Sequence, residues 1–263
     1  MNMKTNRAWR GAAAMGIVAL AGGCLTGGAK TAATAVPERH PVQTAVRAVT
    51  PVVLDGRLDD EAWRRAPAYP LILPAAESAT AAVPVEKGEV RYAWDAHYFY
   101  VAARFEDSDL VAEGERDGLP HFQLGDVLEI FLKPVNDTYY WEMYATPLNR
   151  KTRYWFPGRG RLGLPSGFAS REVGIRVAAH HDGTVNDWRD HDREWTVEMA
   201  IPVAELEAYG AKFKPGESWR LLAARYNYSR WLARQGPELS AAVPLDQVNY
   251  HRLEQYAQLL LAP

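Results

Sequence analysis

Beyond residue 88 the chain reads as short runs whose side chains sort with a period of two, separated by turn signals, a pattern that predicts strands rather than helices. In residues 98–105, Phe99, Val101, Ala103 and Phe105 share one face, while Tyr98, Tyr100, Ala102 and Arg104 share the other. Residues 89–94 form a similar aromatic and β-branched run, and Asp95-Ala96-His97 between the two reads as a hairpin turn. Over 127–132, Leu128, Ile130 and Leu132 oppose Glu129 and Phe131; over 139–146, Trp141, Met143 and Ala145 oppose Tyr140, Glu142 and Tyr144. Further strands are expected at 154–156, 173–178, 195–201, 218–227 and 255–261. Two short helices are predicted at 59–65 and 203–209, the second behind Pro202, whose fixed φ suits a first helical turn. Many short strands with little helix predict an all-β fold, an antiparallel β-sandwich of jelly-roll type with one or two short helices.

The N-terminus breaks this pattern. Lys4, Arg7 and Arg10 stand without an acid, then come an apolar run over 12–21 and Gly22-Gly23-Cys24. These are the charged, apolar and small-residue parts of a secretory signal, and the run is shorter than the roughly 20 residues of a membrane-spanning helix. Small residues ahead of the chain's only cysteine resemble a bacterial lipobox, which implies cleavage after residue 23 and lipidation of Cys24. Leu20 stands one position away from where that motif usually has leucine. The expectation is an exported lipoprotein, membrane-anchored through the lipid alone and facing the periplasm or the cell surface. Residues 24–47 are small, polar and without hydrophobic period, so they read as a lipidated tether, with the folded domain covering 48–263.

A net charge of −2, falling to −5 once the three N-terminal cations are removed, argues against nucleic acid as a partner. One cysteine excludes intramolecular disulfides, thiolate-cage zinc and iron–sulfur clusters. Nine Trp and thirteen Tyr outnumber seven Phe, so rings that both stack and hydrogen-bond are favoured, as in sugar-binding proteins and many other β-rich folds.

Catalytic motifs are sparse. Residues 158–163 fit G-x-G-x-x-G, but Pro165 and Gly167 follow where a dinucleotide-binding helix should start, so the segment reads as a loop. His180, His181, Asp182, Asp187, Asp190, His191 and Asp192 crowd together without EF-hand spacing and read as a solvated turn. Glu129, Glu142 and Glu198 lie within strands, where they either bond to neighbours or pair for glycoside hydrolysis across a shared cleft.

Five segments resemble carbohydrate-binding module family nine, within the wider DOMON-like group. VLDGRLDDEAW at 53–63 resembles its opening I-D-G-x-x-D-E-x-W, and VRYAWD at 90–95 with YFYV at 98–101 resembles its hairpin. DVLEIFL at 126–132 and EWTVEMAIP at 194–202 resemble two further strands, and NYHRLEQYA at 249–257 resembles the closing segment. The order is the family's, from about residue 50 to the C-terminus. The resemblance implies a single β-sandwich that clamps a saccharide between two aromatic rings and hydrogen-bonds its hydroxyls.

Carried over by position, one clamp ring falls on Tyr250, beside Asn249, and the other falls on Gln123, with Phe122 and His121 adjacent. The basic residue of the following strand falls on Glu142. The expected carbohydrate-binding residues are therefore Phe122, Gln123, Glu142, Asn249 and Tyr250. The ligand implied is a polysaccharide or oligosaccharide, with envelope or secreted glycan-degrading enzymes as candidate partners. The resemblance names no catalytic residue, and a binding module rather than an enzyme is expected. No cofactor is firmly predicted; calcium is left open, and haem is disfavoured. Two alternatives stay open: a b-type haem domain, as in cytochrome members of the same fold group, with Met143 or Met199 as ligand; and a glycoside hydrolase using two of the strand carboxylates.

Overall fold

The computed structural model describes residues 40–76, 83–159 and 174–263. The expected signal sequence, Cys24 and most of the tether lie outside the described residues, as do residues 160–163 of the glycine-rich loop and Val173.

Among the described residues the strands are β1 (Val42–Arg47), β2 (Tyr69–Pro70), β3 (Gly88–Trp94), β4 (Tyr98–Glu106), β5 (Val127–Pro134) and β6 (Tyr140–Ala145). They continue as β7 (Lys151–Phe156), β8 (Arg176–Asp182), β9 (Glu194–Pro202), β10 (Trp219–Asn227), β11 (Glu238–Ala241) and β12 (Ala257–Leu261). Two short helices, α1 (Glu61–Arg65) and α2 (Val203–Leu206), stand where the pattern predicts them. The strands pair in the order β7-β6-β5-β10-β12-β1-β3-β4-β9-β8. This is the expected all-β sandwich, antiparallel except at β1.

β1 lies inside the segment read as tether, so the folded part starts ahead of Ala48. Its first residues pair in parallel with β12, from Val42 opposite Gln258 to Ala45 opposite Leu261, and its last two pair in parallel with β3. β1 thereby joins two sheets, β7-β6-β5-β10-β12 and β3-β4-β9-β8, into one continuous folded sheet. The hydrophobic pattern hid it because its buried positions are Gln43 and the small Ala45, whereas Val42 is exposed. The side-chain nitrogen of Gln43 donates to the Ala242 carbonyl at 2.7 Å, while its side-chain oxygen is buried without a hydrogen-bond donor.

The alternating residues sort as the sequence predicts. Phe99, Val101 and Phe105 of β4 join Leu128, Ile130 and Leu132 of β5, and Trp141 and Met143 of β6, in the main core between the sheets. Each sheet's outer face is also covered. α1 packs Ala62 and Trp63 on Tyr100, Ala102 and Ala200 of the second sheet. On the first sheet, Phe131, Tyr140, Leu222 and Ala224 meet Val243, Leu245, Tyr250 and Tyr256. Residues 242–256 thus lie over the outer face of β5, β6 and β10, and this cover forms one side of the cavity described next.

Two buried groups hold the loops at that end of the sandwich. Asp126 accepts the Val111 amide on one oxygen and the Tyr228 amide on the other, both at 2.7 Å. Arg225 pairs with Asp107 at 2.8 Å with both side chains almost fully buried, and donates further bonds to Asn227 and the Glu106 carbonyl. Such a pair is costly to break from one side, since the remaining charge is left without compensation.

Candidate functional site

Period-two alternation sends Glu129 and Phe131 of β5, Glu142 and Tyr144 of β6, and Tyr226 of β10 to the outer face of the first sheet. With Phe122 and residues 247–251 they enclose a cavity of about 350 Å³. Four of the five predicted binding residues, Phe122, Glu142, Asn249 and Tyr250, line it. Gln123 does not: the 3-10 turn His121–Gln123 leaves it exposed while its neighbour Phe122 takes the wall position.

The two aromatic candidates differ. Phe122 is half-buried, its ring 5.6 Å from Tyr226 and 6.1 Å from Tyr144. Tyr250 is buried, packs on Phe131 and Tyr226, and shares its hydroxyl hydrogen between the carbonyls of Arg225 and Ser240, each 3.0 Å away. It belongs to the outer-face cluster and also lines the cavity. Asn249 is exposed at the rim, where its side-chain oxygen accepts the His251 amide at 3.0 Å.

The floor is acidic. Glu129 and Glu142 are 2% and 6% exposed, on diagonal positions of neighbouring strands. The Tyr144 hydroxyl donates to Glu142 and also lies within reach of Glu129. Burial, the larger cause, and the Glu142 charge together push the Glu129 carboxyl well above the usual carboxylate range. Burial raises Glu142 to about 7, against the opposing hydrogen bond from Tyr144. His251 sits 3.7 Å from Glu142 through Nε2 and 2.8 Å from the Tyr140 hydroxyl through Nδ1, and burial lowers its pKa.

Glu129, Tyr144, Tyr226 and His251 are absent from the expected site. The signal for the first two was the alternation that places them beside Glu142. Tyr226 and His251 needed the pairing of β10 with β5 and the path of the C-terminal cover.

Other candidates have different roles. Glu198 lies on the opposite sheet and accepts bonds from Trp63 Nε1 at 2.7 Å and from the Asp55 and Gly56 amides. Met143 and Met199 are fully buried in the main core. The acidic and histidine-rich turn disperses into separate contacts. Asp192 accepts the Leu110 and Thr184 amides, Asp187 pairs with Arg189, Asp182 pairs with Arg193, and His191 stacks on Trp231. Among the described residues, no three His, Cys, Asp or Glu side chains converge as metal ligands.

A family model described as carbohydrate family 9 binding domain-like matches residues 54–218. The chain belongs to this family. Solved structures share the fold of this family 9 domain at low identity. A Bacteroides uniformis protein to which carbohydrate binding is provisionally assigned has 14% identity and a TM-score of 0.63, over 85% of this chain and 100% of that one. A carbohydrate-binding module of family 9 from Caldicellulosiruptor kristjanssonii, in complex with cellotriose, has 14% identity and a TM-score of 0.55, covering 84% of this chain and 93% of the other. A family 9 module from the same organism in complex with glucose has 15% identity and a TM-score of 0.54, covering 84% and 96%. No curated protein matches the sequence. Tyr226 and residues 247–251 lie beyond the segment matched by the family model.

Proposed function

We propose that this family 9 domain binds a saccharide without transforming it, in the cavity on the outer face of the first sheet. The observation that carries the reading is the combination of a half-buried ring, Phe122, with polar side chains from two strands and the C-terminal cover, around about 350 Å³. That volume falls at the small end of the roughly 300–1,000 Å³ typical of small-molecule sites. A pyranose presents an apolar C–H face that packs on a ring, and its hydroxyls need oriented polar partners. Phe122 supplies the first, and Glu129, Gln247 and Asn249 supply the second.

A non-catalytic role is supported by the carboxylates' placement. Glu129 and Glu142 rise from one face of one sheet and share Tyr144, so both meet a ligand from the same side. Hydrolysis needs the two carboxyl groups to flank the scissile bond. The haem alternative draws no support from Met143 and Met199, whose side chains pack among apolar neighbours in the core.

The signal-like N-terminus and Cys24 support a location at a bacterial envelope, the domain held by lipid at the periplasmic or outer surface. There it would present bound glycan to degrading enzymes nearby. The test of binding is calorimetric titration of the purified protein with cellotriose and glucose, alongside a glycan array. Saturable binding of at least one saccharide is expected, and silence across the array overturns the reading.

A further inference from the structure

The cavity floor has an unusual charge balance. Glu129 and Glu142 are at least nine-tenths buried, and no Lys or Arg is among the described residues that line the cavity. The Tyr144 hydroxyl has one proton to offer, and it goes to Glu142. A carboxylate accepts up to about four hydrogen bonds, so most of the acceptor capacity of the pair is unused. Around the pair stand Phe122, Phe131, Tyr144 and Tyr226, rings whose faces carry negative potential. The other donors on the lining are few: the Tyr226 hydroxyl, the His251 ring with Nε2 3.7 Å from Glu142, and the exposed side chains of Gln247 and Asn249 on the covering loop. A ligand group that fits this floor must bring several N–H or O–H donors and a positive charge.

We propose that the floor is built for a protonated amine, and that the saccharide taken by this cavity is an amino sugar with a free ammonium group, such as a glucosamine oligosaccharide. The assignment rests on the saccharide reading above. An ammonium offers three donors and no acceptor, which matches the spare acceptor capacity of the two carboxylates once ionised, while the pyranose ring carrying it packs on Phe122. A neutral sugar gives hydroxyl donors but nothing that would compensate the charge of the pair when it ionises.

Ionisation adds a signature. Both carboxyls hold protons more tightly than ordinary carboxylates in the empty cavity, so binding a cation there releases protons. The hydroxyls of Tyr140, Tyr144, Tyr154, Tyr226, Tyr228 and Tyr256 are all pushed up by burial and stay neutral. His251, the remaining titratable neighbour, gains a positive charge only below its ordinary range and then opposes a cation. Affinity for the amine therefore falls as the pH drops from about 7 to 5, and falls again above about 8 as the sugar's own amine, comparable to an α-amino group, loses its proton.

The experiment titrates the purified protein with the glucosamine trisaccharide, its fully N-acetylated counterpart and cellotriose, from about pH 5 to 9, with wild type, Glu142→Gln and Glu129→Gln. At about pH 7 the free-amine sugar should bind at least tenfold more tightly than the other two, and the preference should shrink to about twofold or less in either variant. Melting curves on both variants separate lost charge from lost fold, and the wild-type pH profile stands independently of them. If cellotriose binds as tightly as the free-amine sugar at every pH, the amine assignment is overturned and the saccharide reading survives. If no saccharide binds, both fall.

Discussion

Trp63 Nε1 donates to Glu198 Oε1 at 2.7 Å, joining α1 to the middle of β9. The second oxygen of Glu198 accepts the Asp55 and Gly56 amides at 2.9 and 2.8 Å, so one carboxylate closes the whole opening segment onto the second sheet. Gly56 has φ +81° and a Cβ there would lie 2.6 Å from the Ala179 carbonyl carbon, which explains why the turn requires glycine. The D-G, W and E of the two distant motifs therefore form one structural unit.

Replacing Glu198 with Ala leaves three donors without their acceptor. The Trp63 and Gly56 donors are buried and each costs about 1–3 kcal/mol when stranded, whereas the Asp55 amide can turn to water, so unfolding by urea should show a loss of at least about 2 kcal/mol. An unchanged midpoint would mean that the opening segment is held by packing alone.

Phe122 and Tyr250 should respond oppositely to truncation. Phe122→Ala should leave the melting temperature nearly unchanged and weaken saccharide binding by about 1–3 kcal/mol through lost ring contact. Tyr250→Ala should destabilise the domain by about 3–5 kcal/mol, since it removes a buried ring and a hydroxyl bonded to two carbonyls. Calorimetry beside thermal melts reads both effects, and a well-folded Tyr250→Ala protein that cannot bind sugar would restore Tyr250 to the clamp.

Stability at Glu142 depends on pH with a definite sign. Its folded pKa is raised from 4.5 to about 7, so the folded state is favoured while the group is protonated and loses that advantage as the pH rises through about 7. Glu142→Gln removes the buried charge. In the absence of ligand the variant should exceed wild type by about 1–3 kcal/mol near pH 8, and the gap should close near pH 4. A gap that does not vary with pH would contradict the raised pKa.

Trp195 is fully buried and its ring lies 4.7 Å from Phe105 at the heart of the main core. Trp195→Ala should cost about 3–5 kcal/mol and damage binding only through the fold. A loss under about 1 kcal/mol would show that the core relaxes around the gap.

Cys24→Ser should move the protein from the membrane to the soluble fraction, because the acyl chains are the proposed anchor. No described helix is long and apolar enough to cross a membrane. Continued sedimentation with membranes would defeat the lipoprotein proposal.

The sequence by itself determined which side of each strand faces which layer. A period of two separates Leu128, Ile130 and Leu132 from Glu129 and Phe131 whatever the partners are, because side-chain direction along a strand is a local property. The family segments likewise announced the sandwich and brought Phe122, Glu142, Asn249 and Tyr250 forward together. Only the tertiary structure decided what those faces meet. That β10 lies beside β5, bringing Tyr226 to Glu129, follows from pairing between residues about a hundred positions apart, which no local pattern encodes. β1 was invisible because its buried side chains are Gln43 and Ala45, made acceptable by a bond to Ala242 and by neighbours on two sheets. Tyr250 reads as a clamp ring in sequence and is a buried wall in space, since its hydroxyl meets carbonyls of β10 and β11 that exist side by side only once the sheet has formed.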